Sequence, residues 1–88
     1  MDKERWNKLT KRQQIGALAA EINRAAFWEK DDREKFKSAL ERTMLMIDLS
    51  LDARDWKKQR LTLLYLRAFI AEFYLGMKNN ISSLSAAL

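Results

Sequence analysis

Asp48, Asp52 and Asp55 place three carboxylates in the stretch DLSLDARD. Asp48 and Asp52 are four residues apart, so a continuous helix would carry both on one face. Grouped carboxylate oxygens can hold a hard cation. The calcium-loop pattern, with acids at alternate positions followed by glycine, is absent. Acids at the start of a helix also favour its positive dipole end, and helix capping is the role assigned to these three. Arg67 is the second candidate, a cation inside the apolar run RLTLLYLRAFIAEFYLGM. Its stem can lie along leucine side chains with the head in water, or it can pair with a carboxylate such as Glu21. Either role is structural.

Other chemistry is closed by composition. The 88 residues contain no histidine and no cysteine. That removes most zinc sites, the commonest general base, the usual nucleophilic dyads and any disulfide. Two glycines and no proline leave no phosphate-cradling loop and favour long helices over turn-rich β architecture. No two expected helices carry matched inward Glu-x-x-Glu pairs. A non-catalytic protein with no cofactor and no small-molecule substrate is expected.

Basic residues with nearby aromatics form a further constellation. Lys8, Lys11 and Arg12, with Lys3 and Arg5, surround Trp6, and Lys57, Lys58 and Arg60 surround Trp56. Such groups can pair with phosphates and stack a base, so a small basic nucleic-acid-binding protein is the alternative function. Asp2, Glu4 and Asp55 interrupt the clusters. The net charge is +5; residues 1–30 carry seven bases against four acids, 31–52 four against six, and 53–88 six against two.

The elements that position these residues can be read from caps and periodicity. Thr10 and Gln13 fit a capping box, and Ile15, Leu18, Ala19, Ile22, Ala25 and Ala26 recur at helical spacing behind them. The first helix therefore runs from Lys11 to about Glu29. Trp6 serves as a plug before it, with Leu9 as a staple residue, and Phe27 and Trp28 close the far end. Asp31 with Glu34 offers a second capping pair for a helix from about Asp32 to Leu49. Phe36, Ala39, Leu40, Thr43, Met44 and Ile47 share its inner face. A third helix follows a connection near Ser50–Asp52 and ends at Leu75, with Gly76 as a left-handed stop. The expected fold is all-α, an up-down-up three-helix bundle with a long third helix. Residues 1–76 form one domain. Residues 77–88 form a tail, read either as a short helical turn on Ile81, Leu84 and Leu88 or as a disordered end.

The third helix has two apolar faces. Trp56, Leu63, Leu66, Ile70, Phe73, Tyr74 and Met77 fall on one, and Leu61, Leu64, Ala68, Ala71 and Leu75 on the other. Arg67 and Glu72 interrupt the run, and each would cost at least roughly 2.5 kcal/mol at a bilayer centre, so no membrane span is expected. A bundle helix needs one broad apolar stripe, so the second implies a second contact. The larger stripe is assigned to the core. Leu61, Leu64, Ala68, Ala71 and Leu75, together with Leu45 and Leu49 on the second helix, are assigned to an interface with a second copy or a helical protein partner. The alternative cover is the tail or the first ten residues. The charged N-terminus lacks an apolar run behind it, so no export signal and a cytoplasmic location are expected.

Overall fold

The first three helix starts are set by local chemistry. The computed structural model describes residues 2–81. Thr10 accepts from the Gln13 amide at 3.1 Å while Gln13 Oε1 accepts from the Thr10 amide at 2.9 Å, completing the expected capping box for α2 (Lys11–Trp28). Asp32, rather than Asp31, caps α3 (Arg33–Leu51), accepting from the Lys35 amide at 3.1 Å. Asp2 does the same for α1 (Lys3–Lys8), accepting from Arg5 at 2.8 Å. This short helix is not expected from the sequence, because six residues with one buried side chain show no periodicity. A 3-10 helix (Arg54–Gln59) leads directly into α4 (Arg60–Tyr74). No strand occurs among the described residues, and the fold is all-α.

The expected long third helix is replaced by this 3-10 turn and a 15-residue α4, shorter than the 18 residues of α2 and the 19 of α3. No side chain caps the 3-10 helix or α4; Ala53 and Gln59 stand at their cap positions. The Trp56 amide instead donates to the Ala53 carbonyl at 3.2 Å, the tighter spacing of a 3-10 turn. At the other end, Met77 donates to the Glu72 carbonyl at 2.9 Å and Gly76 to the Phe73 carbonyl at 3.1 Å. With Gly76 at φ 79°, this is a Schellman stop where glycine was expected to end the helix.

α3 is the central element, packing on α2 and on α4 and receiving α1 and the 3-10 helix near its end. Leu18, Ile22 and Ala25 of α2, Phe36, Ala39, Leu40, Met46 and Ile47 of α3, and Leu63, Ile70 and Phe73 of α4 build the core. Ile15, Phe27 and Met77, expected inside, stand outside, with Phe27 70% exposed. The α2 stripe is turned so that Gln14 and Glu21 are buried. Each is paid for by specific partners: Glu21 accepts from Arg24 and, at 2.6 Å, from Arg42 of α3.

Gln14 joins three segments. Its Nε2 donates to the Trp6 carbonyl at 2.8 Å, and its Oε1 accepts from Trp56 Nε1 at 2.5 Å. Trp6 is fully buried as the expected plug, and its Nε1 donates to Ser50 Oγ at 2.9 Å. Ser50 in turn donates to the Met46 carbonyl, so every polar atom in this knot is used. Ile81 is also fully buried, its amide donating to Glu29 Oε1 at 3.0 Å. Residues 82–88 of the expected tail, including Leu84 and Leu88, lie outside the described residues. Among the described residues no helix is long and apolar enough to cross a membrane.

Candidate functional site

Among the described residues α4 turns one arc inward and leaves the other uncovered. Leu63, Ile70 and Phe73 are buried and Leu66 and Tyr74 half-buried. On the outer arc Leu61 is 63% exposed, Leu64 43% and Leu75 70%, with Ala68 exposed and Ala71 half-buried. The five α4 residues expected at an interface thus share one face. Tyr65 and Phe69 belong to it as well, both exposed. The sequence reading assigned neither to a face, although both repeat at helical spacing from Leu61. Residues 2–10 do not cover this face; they lie against α3 through Trp6, and residues 82–88 of the tail, the other expected cover, fall outside the described residues.

Leu45 and Leu49 sit differently. Leu45 is exposed on α3, whereas Leu49 is half-buried against the core. Between Leu45 and α4 runs a polar seam. Arg67 Nε and Nη2 donate to Asp48 Oδ1 and Oδ2 at 2.7 and 3.2 Å, and the Tyr74 hydroxyl donates to Glu41 Oε1 at 2.8 Å. Arg67 therefore pairs with Asp48 and not with Glu21, which Arg24 and Arg42 occupy. Hydrogen bonding to Asp48, opposed by desolvation and aided by the carboxylate's charge, raises the Arg67 guanidinium above its ordinary value. The hydrogen bond to Glu41 and that group's charge likewise raise the Tyr74 phenol.

Glu72 is the one acid on the outer part of α4. Lys78 Nζ lies 3.1 Å from its Oε2 and 4.2 Å from the Phe69 ring centroid. The chain's own lysine thus neutralises a carboxylate that lies within the outer face, between Ala68, Phe69 and Leu75 in helical register, and its contact with the ring is a cation–π pair.

The two basic clusters meet at the opposite end of α4. Lys11 Nζ donates to Gln59 Oε1 at 2.5 Å and lies 4.9 Å from the Trp56 ring centroid. Arg60 Nη1 donates to the Leu51 carbonyl at 2.7 Å, closing the end of α3. Lys8, Arg12, Lys57 and Lys58 are exposed around them. Trp6 and Trp56 are 0% and 6% exposed, so the stacking role expected of them is not open.

The acidic cluster comes apart. Asp48 faces Arg67, Asp52 ends α3, and Asp55 lies in the first turn of the 3-10 helix. None caps a helix by a side-chain bond, because the chain turns at Ala53 instead of running on from an acid. Among the described residues no group of three or more His, Cys, Asp or Glu side chains could hold a metal ion. An open hollow of about 670 Å³ is lined by Glu29, Lys30, Arg33, Lys78 and the turn 76–80, but Glu29 and Lys78 are already engaged by Ile81 and Glu72. No protein family, curated protein or solved structure matches this chain.

Proposed function

We propose that this protein is a non-catalytic helical assembly module that forms a homodimer through the outer face of α4. The observation that carries the proposal is the uncovered apolar arc of Leu61, Leu64, Tyr65, Ala68, Phe69 and Leu75. Glu72, paired with Lys78, is the one carboxylate within this arc, and apolar side chains grouped in this way are rarely left in water. A second copy is the favoured occupant because the arc is self-complementary. A two-fold axis beside Ala68, with the two α4 helices antiparallel, sets Leu61 against the partner copy's Leu75 and Tyr65 against its Ala71. The small Ala68 permits close approach at the crossing, and the large side chains fill the two ends. Leu45 lies beyond the polar seam at the margin, and Leu49 belongs mainly to the core. An up-down-up course through α2, α3 and α4 fits this arrangement, and the meeting of Lys11 with Gln59 supports it.

Light scattering behind a sizing column, over a range of concentrations, tests the proposal. The parent is expected at twice its monomer mass, dissociating on dilution. Leu64→Glu and Leu75→Glu alter residues already exposed in the single chain, so the helices persist while dimerisation weakens by at least about tenfold, the equivalent of about 1.4 kcal/mol. Ala68→Cys, in a chain with no other cysteine, is expected to form a disulfide-linked dimer on mild oxidation. A parent that stays monomeric at every concentration, or variants that keep the parent's mass, would reject the interface.

A further inference from the structure

The protein's net charge is confined to one end of the molecule. Residues 2–14 and 52–60 carry nine bases and four acids, while the rest of the chain carries eight of each. The whole +5 therefore belongs to these two segments, and the remainder is neutral. The fold brings the segments together: Gln14 bonds Trp6 and Trp56, and Lys11 bonds Gln59. Ion pairing sharpens the separation. The five ion pairs among the described residues, those of Arg24, Lys35, Arg42, Arg67 and Lys78, all lie in the neutral part. Lys8, Arg12, Lys57 and Lys58 face solvent with no carboxylate of the described residues within ion-pair distance.

We infer that this basic end binds the phosphate backbone of duplex nucleic acid without reading its sequence. Unpaired cations spread over two adjoining segments, rather than gathered in a pocket, suit a row of phosphates better than a small anion. The tryptophans decide between polyanions. A single-stranded partner calls for an exposed aromatic on which bases stack, and insertion into a lipid surface for an apolar or aromatic side chain that enters the headgroup layer. Trp6 and Trp56 are sealed in the knot with both indole N–H groups bonded to Ser50 and Gln14. What remains outside is charge on a fixed scaffold, which serves backbone contact and carries no base discrimination. None of these four cations belongs to the apolar arc of α4, so the inference does not rest on self-association.

Fluorescence anisotropy with a labelled mixed-sequence DNA duplex, titrated at several salt concentrations, tests this. If Lys8, Arg12, Lys57 and Lys58 each neutralise one phosphate, the log–log salt slope is expected at about −3.6, from about 0.9 per phosphate. Lys57→Glu with Lys58→Glu is expected to weaken binding at least tenfold at low salt. Lys30→Glu with Lys37→Glu removes the same net charge from the neutral part and is expected to change it less than threefold. Circular dichroism of both double variants checks that the helices persist. Equal losses in the two would show bulk charge attraction and overturn the site. The inference is also overturned by no binding at low salt, by tighter binding to the single strand than to the duplex, or by binding to anionic vesicles in preference to DNA.

Discussion

Gln14→Met is expected to destabilise this protein more than its conservative volume change suggests. Gln14 is 3% exposed and holds two buried partners, the Trp6 carbonyl at 2.8 Å and the Trp56 indole N–H at 2.5 Å. Methionine fills similar space with an unbranched chain but offers neither bond. Each buried group left without a partner costs about 1–3 kcal/mol, so the pair costs about 2–6 kcal/mol. The total stability expected of a chain this size is about 4–13 kcal/mol. Urea unfolding followed by tryptophan fluorescence measures the loss, because two of the three tryptophans are the partners concerned. A loss of about 3 kcal/mol at an m-value of about 1.5 kcal/mol/M lowers the midpoint by about 2 M. Gln14→Glu adds a signature of sign. Its carboxylate would be buried beside the Trp6 carbonyl, which raises the folded pKa above the unfolded value of about 4.3. Its contribution is then retained below that value and lost as pH rises through the folded pKa. A Gln14→Met midpoint within about 0.3 M of the parent would refute the reasoning. Water entering from the small hollow beside Asn7 and Asp52 would then be satisfying both groups.

Two further perturbations test local geometry. Gly76→Ala is expected to cost about 1–2 kcal/mol, because φ at this position is 79° and the strain is backbone rather than steric. Gly16→Ala, mid-helix with nothing within 4 Å of an added Cβ, is expected to gain about 0.5–1 kcal/mol. Thermal or urea unfolding should give the two opposite signs, and equal signs would contradict the assigned backbone. In an alkaline absorbance titration, Glu41→Gln is expected to bring phenolate formation at Tyr74 to lower pH, since the hydrogen bond and charge of Glu41 hold it up. The raised phenol favours the folded state below its unfolded pKa, about 10, and that contribution fades as pH climbs through the folded value. An unchanged titration would mean that Tyr74 and Glu41 do not meet in solution.

Helix placement was legible because its determinants are local. Thr10 and Gln13 cap α2 with atoms three residues apart, and Gly76 stops α4 through carbonyls of the same helix. The five interface candidates on α4 were legible for a related reason: rotation about a helix axis assigns a face without reference to neighbours. Phe69 was overlooked although the same rotation places it there. Arg67 shows where that kind of reading stops. Its helix position was evident, but the choice of Asp48 over Glu21 depends on which face of α3 lies beside α4.

Sequence by itself determined an all-helical chain, closed off histidine and cysteine chemistry, and identified two apolar stripes in the last helix. It did not determine which stripe of that helix would be covered, since both contain leucines at helical spacing. Tertiary structure decided it by seating Leu63, Ile70 and Phe73 in the core shared with α3. It also set Gln14 inside and Ile15 outside, against hydropathy. The physical reason is that burial of a polar group depends on partners: Trp6 and Trp56, 8 and 42 residues away, supply the bonds that make a buried glutamine stable.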